Sequence, residues 1–263
     1  MKWIKGLLIN VQFFTAIPLP LELPMDSMHL KKAIQTFPLL GILQGALFST
    51  LLWGLTEWSP FSQLAIAFLI WCATILITGG IHLDGWIDAS DAYFSFRDIH
   101  KRLEIMKDPR TGAFGVLSVL LLLSSRFLFI YEIVKMLQPE TYFAISLIPF
   151  FSKSVLGGVL LSVPSAKKEG LGALFQAAAT FSSLWVYLIY FGFVFLFLII
   201  MKIDFLVLPL ILFLVSILGY LFLRRKIVKW FSGITGDLLG ASVEGIEWLL
   251  WITLWLLHYF VMV

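Results

Sequence analysis

From Gly170 to Met201 the chain runs for 32 residues without one Asp, Glu, Lys or Arg. Backbone in hydrocarbon must satisfy its own hydrogen bonds, so such a run is confined to helix. Further apolar runs cover Phe37–Leu55, Leu64–Ile81, Thr111–Ile133, Tyr142–Val163, Phe205–Leu223 and Leu238–Val263. About 20 apolar residues cross a bilayer. Gly170–Met201 is too long for one crossing and divides into a re-entrant or interfacial piece, Leu171–Ser182, and a span, Ser183–Met201. Only 13% of residues are charged and mean hydropathy is +0.96, whereas soluble domains carry about 25% charge. The expected fold is all-α, a polytopic transmembrane helix bundle of about seven spans forming one membrane domain over residues 1–263.

Met1–Pro20 lacks a small-residue cleavage site, so no removable signal is expected. Ile4, Leu7, Leu8, Val11 and Phe14 recur at helical spacing, which suits an amphipathic helix in the interface ended by Pro18 and Pro20. Leu21–Lys32 reads as a polar linker. Gly41 and Gln44 read as helix-packing positions, and the single Cys72, inside an apolar run, as packing. With the N-terminus inside, 15 of the 19 Lys and Arg residues fall on the inner side. That bias predicts a cytoplasmic N-terminus and, with seven spans, an external C-terminus. The net charge of +3 follows from this loop bias, and no aromatic-basic patch points to nucleic acid.

The exception to the greasy pattern is Ile81–Phe114. It holds 6 of the 16 acidic residues: Asp84, Asp88, Asp91, Asp98, Glu104 and Asp108. Asp84, Asp88 and Asp91 at i, i+4 and i+7 share one helical face, where like charges repel. A hard divalent cation with oxygen ligands resolves that conflict. Glu104 and Asp108 form a second i, i+4 pair, so two facing helices would supply five carboxyl groups. A solvated acidic face explains the charge but not the apolar Trp86, Ile87, Ala89 and Ala92 between the acids. Arg97, Lys101, Arg102, Lys107 and Arg110 accompany them. Metal-holding carboxylates beside cations suit phosphate chemistry, although the positive-inside bias alone also places cations here. Lys107 and Arg110, flanking Asp108, are the better phosphate candidates.

Charged and polar residues elsewhere add to the candidates. Arg126 and Lys153 sit at membrane depth, where each needs an acid or a phosphate; Arg126 has Glu132 as an alternative partner, or snorkels. His82 beside Asp84 is a candidate for substrate or metal. Thr235, Asp237 and Glu244 are candidates to join the acidic site from the break Phe231–Asp237, with Asp237 alternatively only an N-cap. His100 and His258 are unassigned surface residues.

The stretches HLDGWIDASDAY, RLEIMKDPRTGAFG and GITGDLLGA, with the earlier FFTAIPLP and FPLLG, resemble the adenosylcobinamide-GDP ribazoletransferase (cobalamin synthase) family. The resemblance spans nearly the whole chain. It implies a transfer that joins adenosylcobinamide-GDP to α-ribazole or its 5′-phosphate, releases GMP and uses Mg²⁺ in the bacterial plasma membrane. It also implies a likeness to the CDP-alcohol phosphotransferase fold. Asp84-Gly85 matches the D-G element of that superfamily's motif and Glu104-x3-Asp108 its last acidic pair, while Ile81 replaces the first Asp and the Ala-Arg pair is missing. On this reading Asp84, Asp88, Asp91 and Glu104 hold metal. Lys107 and Arg110 bind phosphate oxygens, with Thr235, Asp237, His82 and Lys153 as further substrate contacts. Asp108, or alternatively Asp91, takes the proton of the attacking hydroxyl. The implied partners are these substrates and the lipid bilayer, with room for a homo-oligomer or for association with other corrinoid-pathway enzymes. The competing classes are a CDP-alcohol phosphotransferase, a membrane prenyltransferase and a transporter; the missing motif elements disfavour the first, unlike Asp motifs the second, and the lack of inverted repeats the third.

Overall fold

The computed structural model describes residues 2–166, 169–200 and 206–261, and among them the regular structure is helical. The elements are α1 Lys2–Phe14, α2 Ser27–Gln35, α3 Phe37–Trp58, α4 Gln63–Leu76, α5 Ile81–Phe94, α6 Ile99–Ile105, α7 Ala113–Lys135, α8 Pro139–Ser162, α9 Leu171–Ala177, α10 Trp185–Ile200, α11 Val207–Phe231 and α12 Gly236–Phe260. A short 3-10 turn, Phe181–Leu184, leads into α10. Lys167, Lys168, the expected turn at Lys202–Asp204 and the span ends Met201, Phe205 and Val263 lie outside the described residues.

Among the described residues, six helices are long and apolar enough to cross a membrane: α3, α7, α8, α11, α12 and the stretch Phe181–Ile200. The chain is therefore a multi-pass membrane protein. α8 is the central element, buried along most of its length. Apolar surface gains little by leaving lipid for protein, so close backbone approach and polar contacts hold such a bundle. Gly41 and Gly45 of α3 supply that approach, because a Cβ at either would collide with the backbone of Pro149, Phe150 or Ser146 in α8. Gly41 is thus a packing residue, as its place in the sequence suggests.

The second expected span departs most from its sequence reading. Leu64–Ile81 reads as one crossing, but α4 stops at Leu76 and α5 sets off at 81° to it. Fourteen residues of α4 reach only about 21 Å at 1.5 Å per residue, short of the hydrocarbon core. Gly79 and Gly80 make the corner with φ of 65° and 75°, a left-handed conformation that costs other residues energy. Counted as one bent unit, α4 and α5 bring the candidate spans to seven. The end of α1 is strapped to this corner by Ala16 N–H donating to the Ile77 carbonyl at 2.8 Å.

Two smaller corrections concern a linker and a span end. Part of the expected polar linker is α2, capped by Asp26, whose carboxylate accepts from the backbone N–H of Met28 and His29. α1 packs on it: buried Asn10 donates to the Ala33 carbonyl and to Thr36 Oγ1 at 2.8 and 2.9 Å. The basic residues Arg224, Arg225, Lys226 and Lys229 lie on the last turns of α11, which continues past the expected span end at Leu223 to Phe231.

Candidate active site

α5 carries the acidic face, and its attachment to α12 sets where that face points. Gly85 lies against the backbone of Asp237, and Gly240 of α12 lies against His82, where a Cβ would be 3.2 Å from its Cα. A side chain at either glycine would hold the helices apart. The close crossing puts Asp84 and Asp237 on one cavity of about 170 Å³, lined also by His82, Phe14, Phe37 and Phe175. His82 is buried and its ring stacks on Phe14 at 5.9 Å. Further along the acidic face, Asp88, Asp91, Asp108, Arg110, Thr111 and Gly112 line a second cavity of about 380 Å³. The structure therefore brings the predicted residues Asp84, His82 and Asp237 to one cavity and Asp88, Asp91, Asp108 and Arg110 to another, with the three helical acids shared along one face of α5.

The carboxylates differ in what they already hold. Asp91 Oδ2 and Oδ1 accept from the backbone N–H of Gly112 and Gly115 at 2.7 and 2.8 Å, so Asp91 satisfies the start of α7. Asp108 accepts from Arg110 three times, from N, Nε and NH2 at 3.0, 2.9 and 2.7 Å. Those bonds hold the Asp108 carboxyl down at about 2. Asp108, the first candidate for the base, is thus held below the ordinary carboxylate range by Arg110, while both oxygens of Asp91, the alternative, are engaged by backbone N–H groups.

Glu104 corrects another expectation. α6 ends at Ile105, so Glu104 and Asp108 do not share a helical face. Glu104 is exposed and accepts from Lys101 Nζ at 2.7 Å, which pulls its carboxyl below the ordinary value. Among the described residues no three His, Cys, Asp or Glu side chains gather tightly enough to hold a metal ion. The four-carboxylate set Asp84, Asp88, Asp91 and Glu104 is thus not assembled in this geometry. Lys107 is exposed on the turn after α6. Thr235, rather than Asp237, caps α12: its Oγ1 accepts from Leu238 N at 3.2 Å and lies 3.3 Å from Asp237 Oδ2.

Beneath α5 lies a buried ionic group. Arg126 NH2 pairs with Glu244 Oε2, with Arg126 1% and Glu244 2% exposed. Lys153 Nζ lies 3.6 Å from Glu247 Oε1, which also accepts from Ser152 Oγ at 2.8 Å. Lys153 Nζ also stands 3.2 Å from His82 Nε2. Arg126 and Lys153 thus find acids, as intramembrane cations must. The partner of Arg126 is Glu244 rather than Glu132, which instead binds Tyr259 and Lys135. Lys153 is fully buried, between Glu247 and His82. Glu244 is withdrawn from the acidic cavities by its pairing with Arg126. His258 is also inside, 2.8 Å from Thr141 Oγ1. Counting charges within spans, two cations against Glu244 and Glu247, would have exposed this pairing; the aromatic wall of Phe14, Phe37 and Phe175 left no comparable signal.

Residues 6–255 match the family described as cobalamin-5-phosphate synthase. An adenosylcobinamide-GDP ribazoletransferase of Geobacillus sp. (strain WCH70) is 39% identical over 98% of this chain and 98% of its own. Proteins of the same name from Clostridioides difficile (strain 630) and Acinetobacter baumannii (strain ACICU) are 33% and 32% identical over 97% and 90% of this chain, and 98% and 91% of theirs. No solved structure matches. With nearly its whole length covered by both kinds of comparison, the chain belongs to the cobalamin-5-phosphate synthase family.

Proposed function

We propose that this chain is a membrane transferase that joins adenosylcobinamide-GDP to α-ribazole or its 5′-phosphate and releases GMP. The observation that carries the reading is the acidic face of α5 opening on two adjoining cavities beside Arg110, in a chain of this family. The names of the relatives supply the substrates. The charge bias of the loops supports a cytoplasmic N-terminus and cytoplasmic cavities in the bacterial plasma membrane.

In the proposed reaction an acceptor hydroxyl attacks the phosphorus nearer the corrinoid. An O–P bond forms to the acceptor, the O–P bond to GMP breaks, and the hydroxyl proton leaves to water. Phosphoryl transfer through a loose transition state asks little of a base, which agrees with Asp91 and Asp108 both being engaged. The task left to the protein is to position the reactants and offset charge. Arg110, held by Asp108 at the mouth of the second cavity, faces pyrophosphate oxygens. The aromatic wall of the first cavity offers flat apolar surface to a base.

Mg²⁺ is commonly bound by one or two carboxylates together with substrate phosphate oxygens. Asp84 and Asp88, one turn apart on α5, are donors of that kind. The ion would offset charge on the pyrophosphate and the departing GMP. GMP release from proteoliposomes, with adenosylcobinamide-GDP, either acceptor and Mg²⁺, tests the reading. Wild type should turn over and Asp84→Asn should lose about 10²-fold or more. A folded wild type that is inactive with both acceptors overturns the function; Asp84→Asn at full rate overturns only the site.

A further inference from the structure

The face of α5 opposite the acids is a wall of a different cavity. Trp86 and Tyr93 turn away from the carboxylates toward a groove of about 600 Å³, whose other walls include Leu121 of α7, Phe222 and Trp230 of α11, and Trp248 of α12. That volume lies in the range of about 300–1,000 Å³ typical of small-molecule sites. α7 and α11 each pack on α12 but stand apart from one another, so the groove opens sideways between them. Leu121 on one rim is 72% exposed and Phe222 on the other 55%. In a multi-pass protein these rims face acyl chains.

One end of this apolar trough is cationic. Lys226 lines it, with Nζ 4.6 Å from the ring of Trp230 and 5.3 Å from that of Phe222. Arg102 packs over Tyr93 and Phe231, both lining residues, at 5.7 and 6.0 Å. Its NH1 donates to the Trp230 carbonyl at 3.2 Å, and its buried Nε–H has no partner. Neither cation belongs to an ion pair among the described residues. Arg225 and Lys229 add positive charge on the same turns of α11.

We propose that this groove is a binding site for one anionic phospholipid, an acyl chain lying in the trough and the phosphate held by Lys226 and Arg102. An apolar channel lined by Lys226, with Arg102 packed against its lining rings Tyr93 and Phe231, is complementary to an anionic amphiphile. Basic pockets between transmembrane helices bind anionic headgroups, and the Trp and Tyr at its end suit the interfacial zone. A second copy of the chain fits less well, because a two-fold contact on this face would bring the same cations toward each other.

Native mass spectrometry of the purified full chain, offered equal phosphatidylglycerol and phosphatidylcholine of the same acyl chains, tests the site. Wild type should retain one phosphatidylglycerol in preference. Lys226→Ala and Arg102→Gln should each lower the preference about fivefold, the effect of one cation near an anionic lipid. Leu121→Trp, placed on an exposed rim, should fill the trough and reduce retention of both lipids. Circular dichroism and monodisperse elution confirm folding; if Arg102→Gln does not fold, Lys226→Ala and Leu121→Trp carry the test. Equal retention of the two lipids by wild type, or a preference that survives Lys226→Ala, overturns the proposal. So does a lipid-free dimer that Leu121→Trp disperses.

Discussion

Replacing Arg126 by Met leaves Glu244 in a bundle interior with its principal partner gone. Arg126 and Glu244 are 1% and 2% exposed, so water cannot take over the lost bond. Removing one partner of a buried ion pair costs about 3–5 kcal/mol, because the remaining charge is uncompensated. For a chain of this size each kcal/mol lowers Tm by about 2–4 °C, so Arg126→Met should melt about 6–20 °C below wild type. The double replacement Arg126→Met with Glu244→Met removes both charges and leaves Lys153 facing Glu247 at 3.6 Å. Apolar replacement of a whole buried pair is neutral or stabilising in many proteins, so most of the lost Tm should return. Thermal unfolding of detergent-purified protein, followed by circular dichroism, measures all three variants together with Glu244→Met. A single variant within 2 °C of wild type, a range set by the same scaling, would refute the reasoning. A double variant melting as low as Arg126→Met would refute it equally, since the coupling that defines the pair would be missing.

Other perturbations read the acidic site. Gly85→Ala drives a methyl into the Asp237 backbone; it should cost about 1–3 kcal/mol and depress GMP release, while Gly54→Ala, with its nearest neighbour atom 3.8 Å away, should leave both unchanged. Asp91→Ala removes the acceptor of two backbone N–H groups at the start of α7 and should cost about 0.5–2 kcal/mol; hydrogen exchange at Gly112 and Gly115 should quicken, and less so in Asp91→Asn. Asp108 is held at about 2, below its ordinary 3.8. A depressed carboxyl favours the fold above its ordinary value and loses that contribution as pH falls through about 2. The pH–rate profile between 5 and 8 should therefore keep its shape in Asp108→Asn, and a limb that disappears in this variant would return Asp108 to the role of base.

Spacing along the chain makes the acids of α5 legible, because Asp84, Asp88 and Asp91 must share a face once the segment is helical. Spans are legible for the same local reason: a run such as Val207–Phe231 has no other stable home. The corner at Gly79 and Gly80 is harder, since two glycines after an apolar run equally suit the end of a full crossing. Glu104 and Asp108 are spaced for one helix, but a cap at Met106 ends it first. Pairing between helices is not local at all. Arg126 and Glu244 are separated by 118 positions, and Glu132, near at hand in sequence, was the closer candidate. Lys153 illustrates the same difficulty, because an intramembrane cation facing a phosphate and one facing Glu247 read alike in one dimension.

The buried group beneath α5 has a bearing on the voltage across the membrane. A charge that moves through this field gains or loses about 2.3 kcal/mol per 100 mV. Arg126 and Lys153 carry two positive charges and Glu244 and Glu247 two negative ones, locked into pairs within one bundle. Their sum is zero, so the field has no net handle with which to push the quartet as a unit. The interior is richly charged and still electrically quiet. A rocking of α7, α8 and α12 that carried both pairs together would do no net work against the membrane potential, and the helices beneath the acidic face can keep their positions whether the membrane is energised or not.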